Sequence, residues 1–140
     1  KKYIKTIGLY NAKAKNIIKL SRILLSKYNN KIPKDFKSLI SLPGVGNKTA
    51  SVYQNSILSV PRIAVDTHVF RVSNRVGLTK SRTADLTQIS LERIVPKKWL
   101  MTAHHILIFH GRKICKARNP LCKICSVNKI CYYRRENLQS

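Results

Sequence analysis

Apolar side chains recur at intervals of three and four residues along almost the whole chain, the spacing that gathers them on one face of an α-helix. This pattern predicts an all-α fold class. In the first predicted helix Asn11 is expected to act as the N-terminal cap, and Asn29 and Asn30 are expected to end the helix. One face of this helix is predicted to carry seven side chains: Ala14, Ile17, Ile18, Ser21, Leu24, Leu25 and Tyr28.

Acidic caps, prolines and glycines divide the rest of the chain into shorter helices. Asp66 is expected to cap a helix that Gly77 closes, and residues 63–65 before it form an extended connector. Pro96 suits the first turn of the last long helix, which is predicted to stop at Gly111. The predicted helices and their caps span residues 35–42, 47–58, 66–77, 83–95 and 96–110.

A glycine-rich turn joins two of these short helices, so that residues 36–58 read as a helix-hairpin-helix. Glycines at 44 and 46 let the backbone adopt positive φ angles and approach another backbone closely. The second helix begins at the turn, where unpaired N–H groups suit a phosphate. An ordinary turn between helices often uses one glycine, whereas Pro-Gly-x-Gly followed by Lys48 favours phosphate binding by Gly44, Val45 and Gly46.

Lys48 and Asp66 are the two side chains most suggestive of chemistry. Lys48 lies in the first turn of a helix, where the helix dipole favours acids, so its place there is better explained by a phosphate contact or by a nucleophilic amine. Asp66 caps its helix, and its carboxylate could also stabilise positive charge on a sugar during glycosidic cleavage. The three histidines at 104, 105 and 110 are interpreted as packing residues or phosphate contacts.

All four cysteines of the chain fall within residues 115–131, with the spacing C-x6-C-x2-C-x5-C. Structural zinc usually takes paired C-x2–4-C units, and here only Cys122 and Cys125 form such a pair. A compact run of four thiolates also suits a [4Fe–4S] cluster, which the spacing favours slightly over zinc. Disulfides are a weaker alternative, because no signal peptide is visible and a cytosolic chain keeps its thiols reduced.

The charge of the chain is strongly positive, with 28 lysine and arginine residues against five acids and a net charge of +23. Such a balance predicts a polyanionic partner, by default nucleic acid. However, the chain also holds 18 Lys, 16 Ile and 10 Asn, whose codons are A/T-rich, so mutational bias explains part of the excess lysine. No apolar run approaches the roughly 18 residues of a membrane span, so no membrane association is expected.

Three motifs in order carry a family resemblance: LPGVGNKTA at residues 42–50, VDTHVFRVSNR at 65–75, and the cysteine run from Cys115. Together they resemble the endonuclease III family of helix-hairpin-helix DNA glycosylase/AP lyases, over about residues 4–132. The resemblance implies a partial six-helix domain in residues 1–110, which contains the catalytic residues, followed by an iron–sulfur cluster loop and basic tail in 111–140.

The resemblance also implies a function and its residues. Lys48 matches the family's catalytic lysine and Asp66 its catalytic aspartate, and Lys116 and Arg118 lie in a loop that meets DNA phosphates. The cluster ligands of the implied [4Fe–4S] cofactor are Cys115, Cys122, Cys125 and Cys131. The expected activity is base-excision repair by a monomeric enzyme that removes oxidised pyrimidines from double-stranded DNA and cleaves the abasic site by β-elimination through a lysine Schiff base.

The resemblance has one departure and leaves two alternatives. Family members begin well before the position of Lys1, so the sequence is expected to be a partial chain of a cytoplasmic, nucleoid-associated bacterial protein. One alternative is a non-catalytic DNA-binding remnant of such an enzyme. The other is a monofunctional adenine-type DNA glycosylase, although those enzymes typically lack a lysine at the position of Lys48.

Overall fold

Helices account for all the regular structure of residues 1–137, the part of the chain that the computed structural model describes, which confirms the all-α fold class. Short 3-10 turns occur at Lys2–Ile4, Lys97–Trp99 and Cys122–Ile124. The last three residues of the predicted basic tail lie outside the described residues. The helices are α1 Tyr10–Lys27, α2 Phe36–Ser41, α3 Asn47–Leu58, α4 Thr67–Val76, α5 Ala84–Ile94, α6 Leu100–Lys113 and α7 Tyr132–Asn137.

Local capping signals place most helix ends where the sequence predicts them. The Asp35 carboxylate accepts a hydrogen bond from the Ser38 N–H at 2.8 Å, which fixes the start of α2. The Thr83 hydroxyl accepts one from the Leu86 N–H at 3.2 Å and starts α5. Gly77 closes α4 with φ of +98°, a left-handed conformation in which glycine avoids the steric cost of a side chain. The predicted cap at Asp35, the predicted start of a helix at about Thr83 and the predicted closure at Gly77 are confirmed.

The prediction for α1 is partly wrong. Asn11 is inside the helix, which begins at Tyr10 with Leu9 before it at φ of +57°. Of the predicted face only Ala14 is fully buried, while Ile17 and Leu25 are 53% and 63% exposed. The helix contacts its neighbours through a narrower strip, since Leu20 and Leu24 line an apolar cavity together with residues of α2 and α3. The spacing of apolar residues predicts which side chains share a face of α1, but it does not predict which part of that face packs against α2 and α3.

The prediction that Gly111 ends the last long helix is also wrong, because α6 continues to Lys113. A Cβ at Gly111 would lie 3.0 Å from the Cβ of His68 and 3.1 Å from Cγ2 of Val72. Gly111 therefore permits close packing of α6 against α4 rather than ending the helix. Helix α6 thus crosses the boundary predicted after residue 110, and the division into 1–110 and 111–140 stays a prediction.

The core of the molecule is where α4, α5 and α6 meet the extended connector at 63–65. Burial of each larger apolar side chain here contributes about 1.5–3 kcal/mol. Because the connector runs through this core, the position of the residue that follows it, Asp66, is fixed by packing. The buried residues of the cluster are Ile63, Val65, Val69, Val72, Leu91, Leu100 and Leu107.

Among the described residues, no helix has both the length and the apolar character needed to cross a membrane.

Candidate active site and cysteine cluster

The turn before α3 presents an open helix N-terminus. Gly44 has φ of +79°, and a Cβ there would lie 2.9 Å from the Cβ of Asn16, so both the conformation and the packing against α1 require glycine. Within residues 1–137, no side chain caps α3, and a Cβ at Gly46 would meet no atom within 4 Å. The first amides of α3 are therefore approachable, as binding of a phosphate requires.

Lys48 and Asp66, which are 18 residues apart in sequence, are neighbours in the structure. The Lys48 Nζ lies 3.9 Å from the Asp66 Oδ2, and their side chains are 56% and 10% exposed, respectively. The Asp66 Oδ1 accepts hydrogen bonds from the N–H groups of His68 at 2.8 Å and Val69 at 2.9 Å. One carboxylate oxygen therefore caps α4, and the other faces the amine of Lys48.

The carboxyl group of Asp66 is held in its ionised form. Burial opposes ionisation, but the N–H groups of Val69 and His68 and the positive charge of Lys48 together outweigh it, so that the pKa of Asp66 lies below its ordinary value. The site therefore pairs an anionic, mostly buried carboxylate with an accessible lysine. Such a pair can stabilise developing positive charge beside a nucleophilic amine.

An open cavity extends from this pair towards α5 and α6. Its lining includes Lys48 and Asp66, and also Phe70, Arg82 and Arg112, for which the sequence predicts no role. Among the residues that the structure describes, Asp66 is the only acid in this lining. The cavity suits an anionic substrate. Nothing in the sequence around Arg82 and Arg112 distinguishes them from the other basic residues, of which the chain has 28 in all. They become candidates only because the segment before α5 and the end of α6 lie beside α4.

The other two predicted DNA-contacting residues, Lys116 and Arg118, are exposed in the loop that follows α6. Among the described residues, neither lines the cavity that contains Lys48 and Asp66. Their loop is held by Arg75, which lies near the end of α4 opposite Asp66. If both regions meet one ligand, that ligand must be extended.

The four cysteines, all within the described residues, form no disulfide, and all four line one small cavity between α4, α6 and α7. Within residues 1–137, however, no three Cys, His, Asp or Glu side chains lie close enough together to bind a single metal ion. Four cysteines that line one cavity supply sulfur ligands of the kind that both iron–sulfur clusters and structural zinc take. The donor set therefore fits four-thiolate ligation of a [4Fe–4S] cluster.

Two arginines of α4 hold the backbone around these cysteines. Arg71 donates from Nη2 to the carbonyl oxygen of Gly111 at 2.8 Å and from Nε to that of Cys115 at 3.1 Å. Arg75 donates to the carbonyl oxygens of Lys116 at 2.6 Å and Ala117 at 3.0 Å. These guanidinium groups satisfy carbonyls at and beyond the end of α6. Helix α4 thus connects the Lys48–Asp66 pair with the cysteine segment.

The three histidines of α6 occupy different environments. His104 is buried, and its Nδ1 lies 2.8 Å from the carbonyl oxygen of Ala64; burial lowers the pKa of His104 despite that contact. His110 lies with Nε2 3.6 Å from the sulfur of Cys125, and burial lowers its pKa as well. His104 is buried, as the packing interpretation expects, whereas His110 is half-buried and His105 is exposed.

The fold and the glycine-rich turn define a class of protein. A family model described as HhH-GPD superfamily base excision DNA repair protein matches residues 1–97, and the chain belongs to this superfamily.

Within the superfamily, the chain is most informatively compared with endonuclease III. It is 57% identical over 133 residues to endonuclease III of Rickettsia conorii, covering 95% of this chain and 63% of that protein. It is 47% identical over 136 residues to endonuclease III of Escherichia coli, covering 97% of this chain and 64% of that protein. The chain therefore spans just under two thirds of the length of these relatives.

Solved structures show the same likeness. A trapped covalent intermediate of endonuclease III with DNA superposes with a TM-score of 0.92 and 42% identity, covering 98% of this chain and 65% of the other. A thermostable thymine-DNA glycosylase superposes with a TM-score of 0.83 and 28% identity, covering 96% and 64%. These likenesses confirm the helix-hairpin-helix glycosylase fold.

Proposed function

We propose that this protein is a bifunctional DNA glycosylase/AP lyase of base-excision repair that acts on oxidised pyrimidines in duplex DNA. The observation that carries the proposal is the Lys48–Asp66 pair, 3.9 Å apart beside an open helix N-terminus and a cavity lined by cations. The similarity to an endonuclease III–DNA complex that was trapped covalently supports it.

The proposed reaction begins with extrusion of the damaged nucleotide, since a base inside a duplex is out of reach of the amine. The deprotonated Lys48 amine attacks C1′ as the C1′–N bond breaks, and the base leaves with the bonding electron pair and takes up a proton. Opening of the sugar gives a protonated Schiff base. Loss of a proton from C2′ then breaks the C3′–O bond, which cuts the strand, and hydrolysis returns the amine.

Asp66 assists this sequence electrostatically. Its ionised carboxylate lies where positive charge develops on the sugar and on the Schiff-base nitrogen, and it can accept and return protons. The backbone amides of Gly44, Val45 and Gly46 and the side chains of Lys116 and Arg118 are proposed to bind phosphates of the strained DNA. The protein is proposed to act as a monomer in the cytoplasm at the nucleoid, where its DNA substrate lies.

Cys115, Cys122, Cys125 and Cys131 are proposed to hold a [4Fe–4S] cluster, in keeping with their arrangement around one cavity. When bound, the cluster supplies a covalent cross-link between the end of α6, the loop that carries Lys116 and Arg118, and α7. No step of the proposed reaction uses its redox chemistry. Residues 111–140 are accordingly proposed to form a cluster-bound unit that presents a basic loop to DNA beside the helical unit of residues 1–110.

Nicking of a duplex that contains one abasic site tests this function. The wild-type protein should cut the strand 3′ to the abasic site, and Lys48→Gln should bind the same duplex without cutting it. Lys13→Gln is the matched control, because Lys13 is an exposed lysine of α1. If the wild-type protein binds the duplex but leaves it intact, the chain is instead a non-catalytic DNA-binding protein.

A further inference from the structure

A buried polar network joins the helix of Lys48 to the connector that leads to Asp66. Its centre is Gln88 on α5, which is buried. The Gln88 Nε2 donates one hydrogen bond to the Ser51 Oγ at 3.0 Å and another to the Glu92 Oε1 at 2.9 Å. Ser51 is fully buried on α3, one helical turn after Lys48. Through this bond, α5 holds the helix that carries the amine.

The other end of the network holds the connector. The Glu92 Oε1 also accepts a hydrogen bond from the backbone N–H of Ile63 at 3.3 Å, and Glu92 Oε2 lies 3.6 Å from Arg62 Nη1. Ile63 is fully buried and precedes Asp66 by three residues. A continuous path therefore runs from Ser51 through Gln88 and Glu92 to Ile63. In sequence, Ser51 at one end is three residues from Lys48, and Ile63 at the other end is three residues from Asp66.

The chemistry of the partners fixes the orientation of the Gln88 amide. An ionised carboxylate accepts hydrogen bonds and cannot donate them, so the NH2 group of Gln88 must face Glu92. The same NH2 group has a second proton, which goes to the hydroxyl oxygen of Ser51. Each proton thus binds a different element. A glutamate at this position could donate neither bond and would place a second negative charge beside Glu92.

A second hydrogen bond ties the same two helices together at the active-site end. The Asn47 Nδ2 donates to the Asp85 Oδ1 at 2.7 Å, and Asn47 directly precedes Lys48. Gln88 lies about one turn along α5 from Asp85 and lines a cavity together with Lys48. The chain has only five acidic residues, and Asp66, Asp85 and Glu92 all belong to the pair or to its supports. Helix α5 thus fixes α3 at two points beside the amine.

From this arrangement, we infer that Gln88 is a positioning residue of the reaction, which sets the separation of the Lys48 amine and the Asp66 carboxylate by bridging α3 to the connector. The inference rests on the proposed function. Among the described residues, the side chain of Gln88 hydrogen-bonds to Ser51 and Glu92 and to neither reacting group, so its loss should alter the rate of the covalent step more than the affinity for DNA. A displacement of about 1 Å in such a pair can lower a rate by up to about a hundredfold.

The test compares Gln88→Met with Thr87→Val. Methionine keeps the length of the side chain and removes both hydrogen bonds. Thr87 is also buried on α5, but the one hydrogen bond of its hydroxyl in the described part of the chain goes to the carbonyl oxygen of Thr83, the cap of the same helix, at 2.9 Å. For each protein, three quantities are measured: the urea unfolding midpoint, the dissociation constant for a duplex with one abasic site, and the rate of borohydride trapping at saturating protein.

Gln88→Met should trap about tenfold more slowly than the wild type, with a dissociation constant within twofold of it, while Thr87→Val should lose similar stability and keep its trapping rate. Equal slowing by Thr87→Val, or an unchanged rate in Gln88→Met, would overturn the inference and leave the proposed function intact. If Gln88→Met does not fold, Ser51→Ala removes the α3 end of the network alone and should also slow trapping. Failure of the wild-type protein to trap would overturn the proposed function and this inference with it.

Discussion

At the scale of single residues, Asp66 has two roles that different substitutions can separate. Asparagine caps a helix about as well as aspartate, whereas alanine cannot accept the bonds from the N–H groups of His68 and Val69. We expect Asp66→Ala to lower the free energy of unfolding by about 1 kcal/mol and Asp66→Asn to change it little. Both should slow nicking of abasic DNA. Urea unfolding and nicking rates check this, and full nicking activity in Asp66→Asn would contradict the catalytic role.

The same carboxylate predicts a dependence of stability on pH. Because the folded pKa of Asp66 lies below the ordinary value of 3.8, the unfolded chain binds more protons in this range. The stabilisation by the ionised group is therefore fully present above the ordinary value and is lost as the pH falls through the folded pKa. The stability difference between wild type and Asp66→Ala should accordingly shrink in acid. A difference that stayed constant from pH 7 to the acid limit of folding would show that charge plays no part.

Residues also mark the limit of what the sequence reveals about the site. Lys48 and Asp66 could be predicted, because each lies in a motif and at a helix start. Arg82, Arg112 and Gln88 could not, since each acquires its place only when α5 and α6 pack beside α3 and α4. The sequence around Gln88 does not show that its side chain is buried or that it bonds to Ser51 and Glu92.

At the scale of helices, α4 connects the Lys48–Asp66 pair with the cysteine segment. Substitution of Arg75 tests that connection. Its guanidinium group donates to the carbonyl oxygens of Lys116 and Ala117 and lies 4.6 Å from the ring centroid of Tyr133. Arg75→Gln removes this planar fork and should cost roughly 1–2 kcal/mol, because the group is only partly buried. We expect lower iron content per chain and weaker DNA binding.

Arg93→Gln is the control for this prediction, since Arg93 is exposed in the last turn of α5. It should retain the iron content of the wild type after gel filtration. An Arg75→Gln protein with full iron content and unchanged affinity for DNA would show that the cysteine segment holds its shape without the hydrogen bonds of Arg75.

Helix boundaries were more predictable than helix contacts, and the reason is physical. The caps at Asp35, Asp66 and Thr83 act within three residues, so the local sequence contains the whole interaction. The buried strip of α1 depends on where α2 and α3 lie. Likewise, Gly111 reads as a helix end in sequence but lies where α6 needs space beside α4.

At the scale of the whole molecule, the salt dependence of DNA binding measures how much of the net charge of +23 contacts DNA. A small glycosylase footprint of about four to six phosphates gives a log K against log salt slope of about −4 to −5. Lys116→Ala and Arg118→Ala should each reduce its magnitude by roughly one unit. Lys13→Ala and Lys19→Ala, on α1, should change it little. A slope near −10, or equal sensitivity at Lys13 and Lys116, would show that the charge is used broadly.

The measurement that tests the central claim most directly is identification of the amine that attacks the sugar. Borohydride reduction of the protein mixed with abasic duplex, followed by proteolysis and mass spectrometry of the adduct, locates the modified residue among the 18 lysines of the chain. The geometry of the Lys48–Asp66 pair predicts that the sugar remnant is on Lys48 and that Lys48→Gln forms no adduct. An adduct on another lysine, or trapping of Lys48→Gln at the rate of the wild type, would contradict it.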